Sequence, residues 1–171
     1  MVSRKRRSDQ ELLDWSGEHL YYELELFRHC VTVLYERRKF DNEPMMRNAL
    51  IEAFALSVRT LYDFFFEPVS PRDDDALAID FYDDPGEWHR NRPVLSEFAK
   101  ARKRVAKEAA HLTYSRLYGR SQEKRWEWSD VYEQVAIVLE AFVASAPKHR
   151  LHPRISGLPP LPGRGHATGR Q

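Results

Sequence analysis

The chain is poor in the features that announce a redox, secreted or membrane protein. It has one cysteine, Cys30, so no disulfide can form within it, and a lone thiol inside a helical pattern reads as a small packed hydrophobe and not a nucleophile. No apolar run comes near the roughly 20 residues that a membrane span requires. The start, Met1 to Arg7, is basic, yet Ser-Asp-Gln-Glu-Leu-Leu-Asp follows where a signal peptide would place its apolar stretch. A cytoplasmic protein with no membrane association is the expectation. No stretch alternates with period two for long enough to call a sheet, and no repeat is visible. There is also no phosphate-cradling glycine loop, no Gly-x-Ser-x-Gly and no Cys-x-x-Cys, so no cofactor is expected.

Net charge is small only as a sum. Residues 1–7 hold four basic residues and 147–171 hold five, with no acid in either stretch, which leaves 18 basic against 26 acidic residues between them. Basic ends on an acidic body can reach for RNA or anionic lipid, and they also keep a protein soluble.

What is abundant is helical period. Leu13, Leu20, Leu24, Phe27, Val31 and Leu34 recur at the spacing of one amphipathic helix over 10–38. Asp41-Asn42-Glu43-Pro44 signals a helix start, with Pro44 suited to a first turn, and the pattern carries a second helix over 44–66. From Pro68 to Pro93 the period collapses, and a long loop-rich crossover with one short helix near 73–82 is expected. A third helix spans 94–118, with Phe98, Ala101, Val105, Ala109 and Leu112 inward. A fourth starts at a capping Ser129 and ends before Pro147. The fold class is therefore all-α: one domain over 10–146, a bundle of four main helices with the crossover between the second and third. Residues 1–9 and 147–171 read as disordered ends, the latter because five prolines, four glycines and five basic residues leave little apolar mass to bury.

Two polar patterns carry the candidate chemistry. Asn48, Glu52, Arg59 and Asp63 fall four, seven and four apart, one stripe on a helix that is otherwise largely apolar. A buried stripe must be paired, so Arg59 is expected against Asp63 or Glu52, and Asn48 against Glu52. On the third helix, Arg104 and His111 lie seven apart on one face, with Lys107, Tyr114 and Tyr118 beside them as a substrate or interface surface. An imidazole there can exchange a proton with a ribose hydroxyl while a guanidinium holds the phosphate. The alternative is a solvated or dimer-forming helix face whose histidine bonds a neighbouring helix. Asp73, Asp74, Asp75, Asp80, Asp83, Asp84 and Glu87 lack the spacing of a calcium loop, and His19 with Glu23 is an isolated pair, so no metal site is expected.

The segments Asn48-x3-Glu52-x6-Arg59-x3-Asp63-Phe-Phe and Ala110-His111-Leu-Thr-Tyr-Ser-Arg116 resemble those of an uncharacterised family of small bacterial all-helical proteins, over about 44–145. More loosely, the chain is similar to the HEPN superfamily, helical domains that often dimerise and carry an Arg-x4-6-His ribonuclease motif. That resemblance implies a metal-independent endoribonuclease, a toxin or defence component, with His111 as general acid/base and Arg104 as phosphate clamp. The two expectations are thus an interaction or assembly module, acting through a homodimer, a protein partner or RNA, and alternatively that ribonuclease.

Overall fold

The computed structural model describes residues 6–35, 43–68, 71–108 and 128–159, and every regular element among them is helical. The all-α class expected from the sequence is what the chain adopts. Helix α1 (Asp9–Trp15) opens with a reciprocal cap, in which the Glu11 backbone N–H donates to the Ser8 hydroxyl and the Ser8 N–H donates to the Glu11 carboxylate at 2.7 Å. It runs without a break into a π-helical turn, Ser16–Leu20, and on into α2 (Tyr21–Tyr35).

That turn re-phases the helix. In a regular helix, at about 100° per residue, Leu13 and Leu20 would share the inner face while Leu12 pointed some 80° away. A π turn absorbs one extra residue. Accordingly Leu12 is buried together with Leu20, Leu24 and Phe27, and Leu13 is only half-buried. The expected Leu13 is corrected for that reason.

Helix α3 (Pro44–Phe66) starts at the proline that the sequence marks and packs along α2. It ends at Glu67, whose φ of 63° lies in the left-handed region that breaks the helix before Pro68. The connection that follows is built, not loose. A 3-10 turn (Ala78–Phe81) is held by the Asp80 carboxylate accepting from the Leu77 N–H at 2.9 Å. Helix α4 (Pro85–Asn91), where the loop-like composition predicts no helix, is capped by Asp84 accepting from the Gly86 N–H at 2.9 Å. Leu77, Ala78, Phe81, Tyr82 and Trp88 of this crossover all enter the core.

Helix α5 (Ser96–Glu108) packs on α3 with Phe98, Ala101 and Val105 inward, as expected, and α6 (Trp128–Ser145) packs on α5 and α2. Phe142 of α6 sits at the centre of an aromatic cluster, 5.3 Å from Phe81, 5.5 Å from Phe64 and Trp88, and 5.7 Å from Phe65 between ring centroids. Every buried polar group in this cluster has a partner: the Trp88 indole N–H donates to the Phe65 carbonyl at 2.7 Å. The Ser145 hydroxyl donates to the Ala141 carbonyl, so the Tyr82 hydroxyl is the donor in its 2.7 Å bond to Ser145, and burial pushes that phenol up to about 12, keeping its proton in place.

The expected disorder from 147 onward is overturned for 147–159. The chain there turns back along the molecule, forms a short helix α7 (Pro153–Ser156) against the π turn, and buries Leu151 and Ile155. Its anchor is Arg150, 6% exposed. The Arg150 guanidinium donates to Asp9 at 2.6 Å, to Asp83 at 2.8 Å and to the Phe81 carbonyl at 3.2 Å. Arg6 also pairs with Asp83. Residue composition does not register these partners, because they come from distant parts of the chain. At the other end, Ser8 and Asp9 are engaged in the cap and the clamp, so the disordered N-terminus expected through residue 9 is likewise corrected for those residues.

Candidate functional site: an acid-lined trough

The polar stripe on α3 does not form a buried network. Phe54, Ala55, Val58, Leu61 and Phe65 define the inner face, and Asn48, Glu52 and Arg59 lie exposed on the outer one. The sequence misleads here because Met45, Met46 and Leu56 are exposed too, which makes the helix look apolar all round. Asp63 is half-buried, and Arg59 approaches it at 3.7 Å as the spacing requires. Its stronger partner is Arg102 on α5, whose Nε and Nη2 donate to the two carboxylate oxygens at 3.0 and 3.3 Å. Arg102 carries the α3–α5 tie and went unnoticed in the sequence, where nothing distinguishes it from its basic neighbours.

Arg104 is half-buried on α5. His111, Tyr114 and Tyr118, and the side chain of Lys107, lie outside the described residues, so the Arg104–His111 pair is not brought into one described geometry.

Among the described residues a large polar concavity lies elsewhere, between the α1–π–α2 helix, α3 and the 71–77 loop. It is a cleft of about 670 Å³ that continues, past the shared residues Trp15, His19, Asp74, Asp75 and Ala76, into a second depression of about 400 Å³. Together they form one trough. Its floor is aromatic: Trp15 is stacked on Phe64 with centroids 5.7 Å apart, and the His19 ring lies 6.1 Å from Trp15. Tyr22, 60% exposed, stands at the rim.

Among the described residues the walls hold eight carboxylates, from Glu11, Asp14, Glu18, Glu23, Asp63, Asp74, Asp75 and Asp80, against three arginines, Arg7, Arg59 and Arg72. Several of the acids are fixed by caps. Glu11 serves the Ser8 cap, Asp80 the Leu77 N–H, and Asp75 the Arg72 N–H at 2.7 Å. Each of these bonds comes from a neutral N–H and so does not itself neutralise the carboxylate it orients. Glu23 differs. It is half-buried and makes no hydrogen bond or ion pair among the described residues, and burial pushes its carboxyl above the usual range.

Among the described residues no three His, Cys, Asp or Glu side chains converge as a metal site would need, and no helix is long and apolar enough to cross a membrane. His19 and Glu23 were visible in the sequence as a pair four apart. Their meeting with Asp74 and Asp75 was not, since that depends on how the 71–77 loop folds back. Comparison with protein-family models, with curated proteins and with solved structures finds no match to this chain.

Proposed function

We infer that the protein is an interaction module that takes a cationic segment of a partner protein into the trough. The observation that carries this reading is the excess of carboxylates over arginines along a concave, aromatic-floored wall. Such a surface concentrates positive ligands and gives their charges a low-dielectric backing. The Trp15 and Tyr22 rings offer cation–π faces to lysine or arginine side chains. Glu23 supplies a carboxylate with no competing partner among the described residues, so a ligand cation can pair with it. The same field repels a phosphate backbone, which turns this face away from RNA.

The test is calorimetric titration with a short lysine/arginine peptide and with its glutamate counterpart. The basic peptide should bind, with affinity falling as salt is raised, and the acidic one should not. Replacing Glu23→Gln together with Asp74→Asn should weaken binding about fivefold, the scale of one or two partly exposed ion pairs. Equal binding of the two peptides, or an affinity unmoved by the double substitution, would overturn the reading.

A further inference from the structure

A second concavity, on the opposite side of α2, has a different chemistry and is not needed for the trough. We propose that this groove between α2 and α6 binds the aliphatic chain of an anionic amphiphile, with the head group held by Lys148.

The groove has a volume of about 320 Å³. Its floor is the fully buried Phe27 and Val135, and its flanks are the half-buried Leu139 and Val143 of α6. The small side chains of Ala136 and Ala144 leave the space open. The remaining side is built by the C-terminal segment, through Ile155 and Leu158, which the Arg150 clamp holds against the body. The apolar lining is therefore continuous on three sides.

Size selects the occupant. The volume is at the lower end of small-molecule pockets, which suits one extended aliphatic chain.

Charge selects the head group. Two cations line the groove. Arg28 is already committed to Glu25 at 2.8 Å, and it lies toward the Tyr132 end, where its charge acts on that phenol. Lys148, beyond the C-terminal end of α6, is exposed and gives one hydrogen bond, to the Val143 carbonyl. An ammonium carries three N–H groups, so two remain to hold an anionic head at the solvent end while the chain runs toward Phe27. Among the described residues Glu140 is the one acid in the lining, and it too is exposed.

The experiment uses the full chain and three probes that share a tail, namely dodecanoate, dodecanol and dodecyltrimethylammonium, each titrated below the concentration at which it forms micelles. Dodecanoate should bind one to one and more tightly than the other two. Lys148→Glu should weaken dodecanoate about fivefold and leave dodecanol unchanged, as expected for one exposed ion pair. Ala144→Leu, at an exposed position in the lining, should narrow the groove and weaken all probes that bind, with a melting curve showing that the variant is folded. No dodecanoate binding, or equal binding of all three head groups, would overturn the proposal. So would a concentration-dependent dimer that Ala144→Leu dissolves, since the groove would then belong to a second copy of the chain.

Discussion

Arg150 and Arg59 each sit beside aspartates, and their surroundings make them unlike. The Arg150 side chain is 7% exposed and bridges two carboxylates and a carbonyl drawn from two separate parts of the chain, the start of α1 and the crossover. Arg59 is 47% exposed and stands 3.7 Å from an aspartate one turn along its own helix. The first joins the C-terminal segment to the start of α1 and to the crossover, whereas the second joins nothing that α3 does not already hold together. A charge pair matters to this fold in proportion to the chain it gathers and the water it has given up, not to the presence of a partner.

The largest test of that contrast removes the gathered chain. Truncation after Pro147 takes away Arg150, Leu151 and Ile155, and burial of the two aliphatic side chains alone is worth about 3 to 6 kcal/mol. The truncated protein should be largely unfolded at physiological temperature by circular dichroism. A melting temperature within a few degrees of the full chain would show that the docked segment is ornamental.

Next, Arg150→Met keeps the apolar stem and removes the fork. It should cost about 2 kcal/mol in urea unfolding, less than a fully buried pair, because Asp9 and Asp83 face water and can be rehydrated. The pH dependence has a defined sign. The Arg150 guanidinium beside Asp83 holds that carboxyl below the usual range, so its contribution is present above the unfolded value of about 3.9 and is lost as pH falls through the depressed folded value. Stability should therefore decline more gently in acid for Arg150→Met than for the wild type.

Gly17→Ala probes the same docking from the other side. A Cβ at Gly17 would stand 2.7 Å from the Cγ and Cδ2 atoms of the His152 ring, so the tail must move. A loss of about 1 to 2 kcal/mol is expected, and His152→Ala in the same chain should recover part of it. Additive effects in the double-mutant cycle would mean that the two residues do not press on one another.

On α3 and α5 the effects are smaller. Arg102→Ala should cost about 1 kcal/mol through its two bonds to Asp63, and Arg59→Ala less than about 0.5 kcal/mol. The reverse order would place the α3 stripe, and not the α3–α5 tie, at the centre of this region. Smallest of all, Glu23→Gln should raise the melting temperature slightly at neutral pH. Burial raises the folded value of this carboxyl, so its charge costs stability above that value and the cost is relieved as pH falls through it. A fall in melting temperature would reveal a partner for the carboxylate.

The helices themselves were legible because 3.6-residue period and capping residues are local. Pro44 at the head of α3 and the inward Phe98, Ala101 and Val105 of α5 follow from neighbours within a turn or two. Helix α4 carried a local signal as well, Asp84 followed by Pro85, and was hidden only by the loop-like composition around it. The rest depended on residues far apart in sequence. Leu12 replaces Leu13 in the core because of a π turn that no spacing announces. Arg150 becomes buried because Asp9 and Asp83 arrive from 141 and 67 residues away. The trough, for the same reason, could be seen only as scattered acids. Its His19 and Glu23 belong to one helix and Asp74 and Asp75 to a loop, and composition weighs each of them as ordinary surface.

The π turn also bears on how this chain can change length. A π turn accommodates one residue more than an α-helix of the same span, and here it keeps α1 in register with the core while presenting Ser16 and Gly17 to the returning tail. The Ser16 hydroxyl accepts the His152 N–H at 3.0 Å, and the absent Cβ of Gly17 is the space that the His152 ring fills. A deletion of one residue within Ser16–Leu20 would restore a regular helix in which Leu12 stays on the inner face, two turns before the next core leucine, so the core register would survive while the local backbone that seats the C-terminal segment would not.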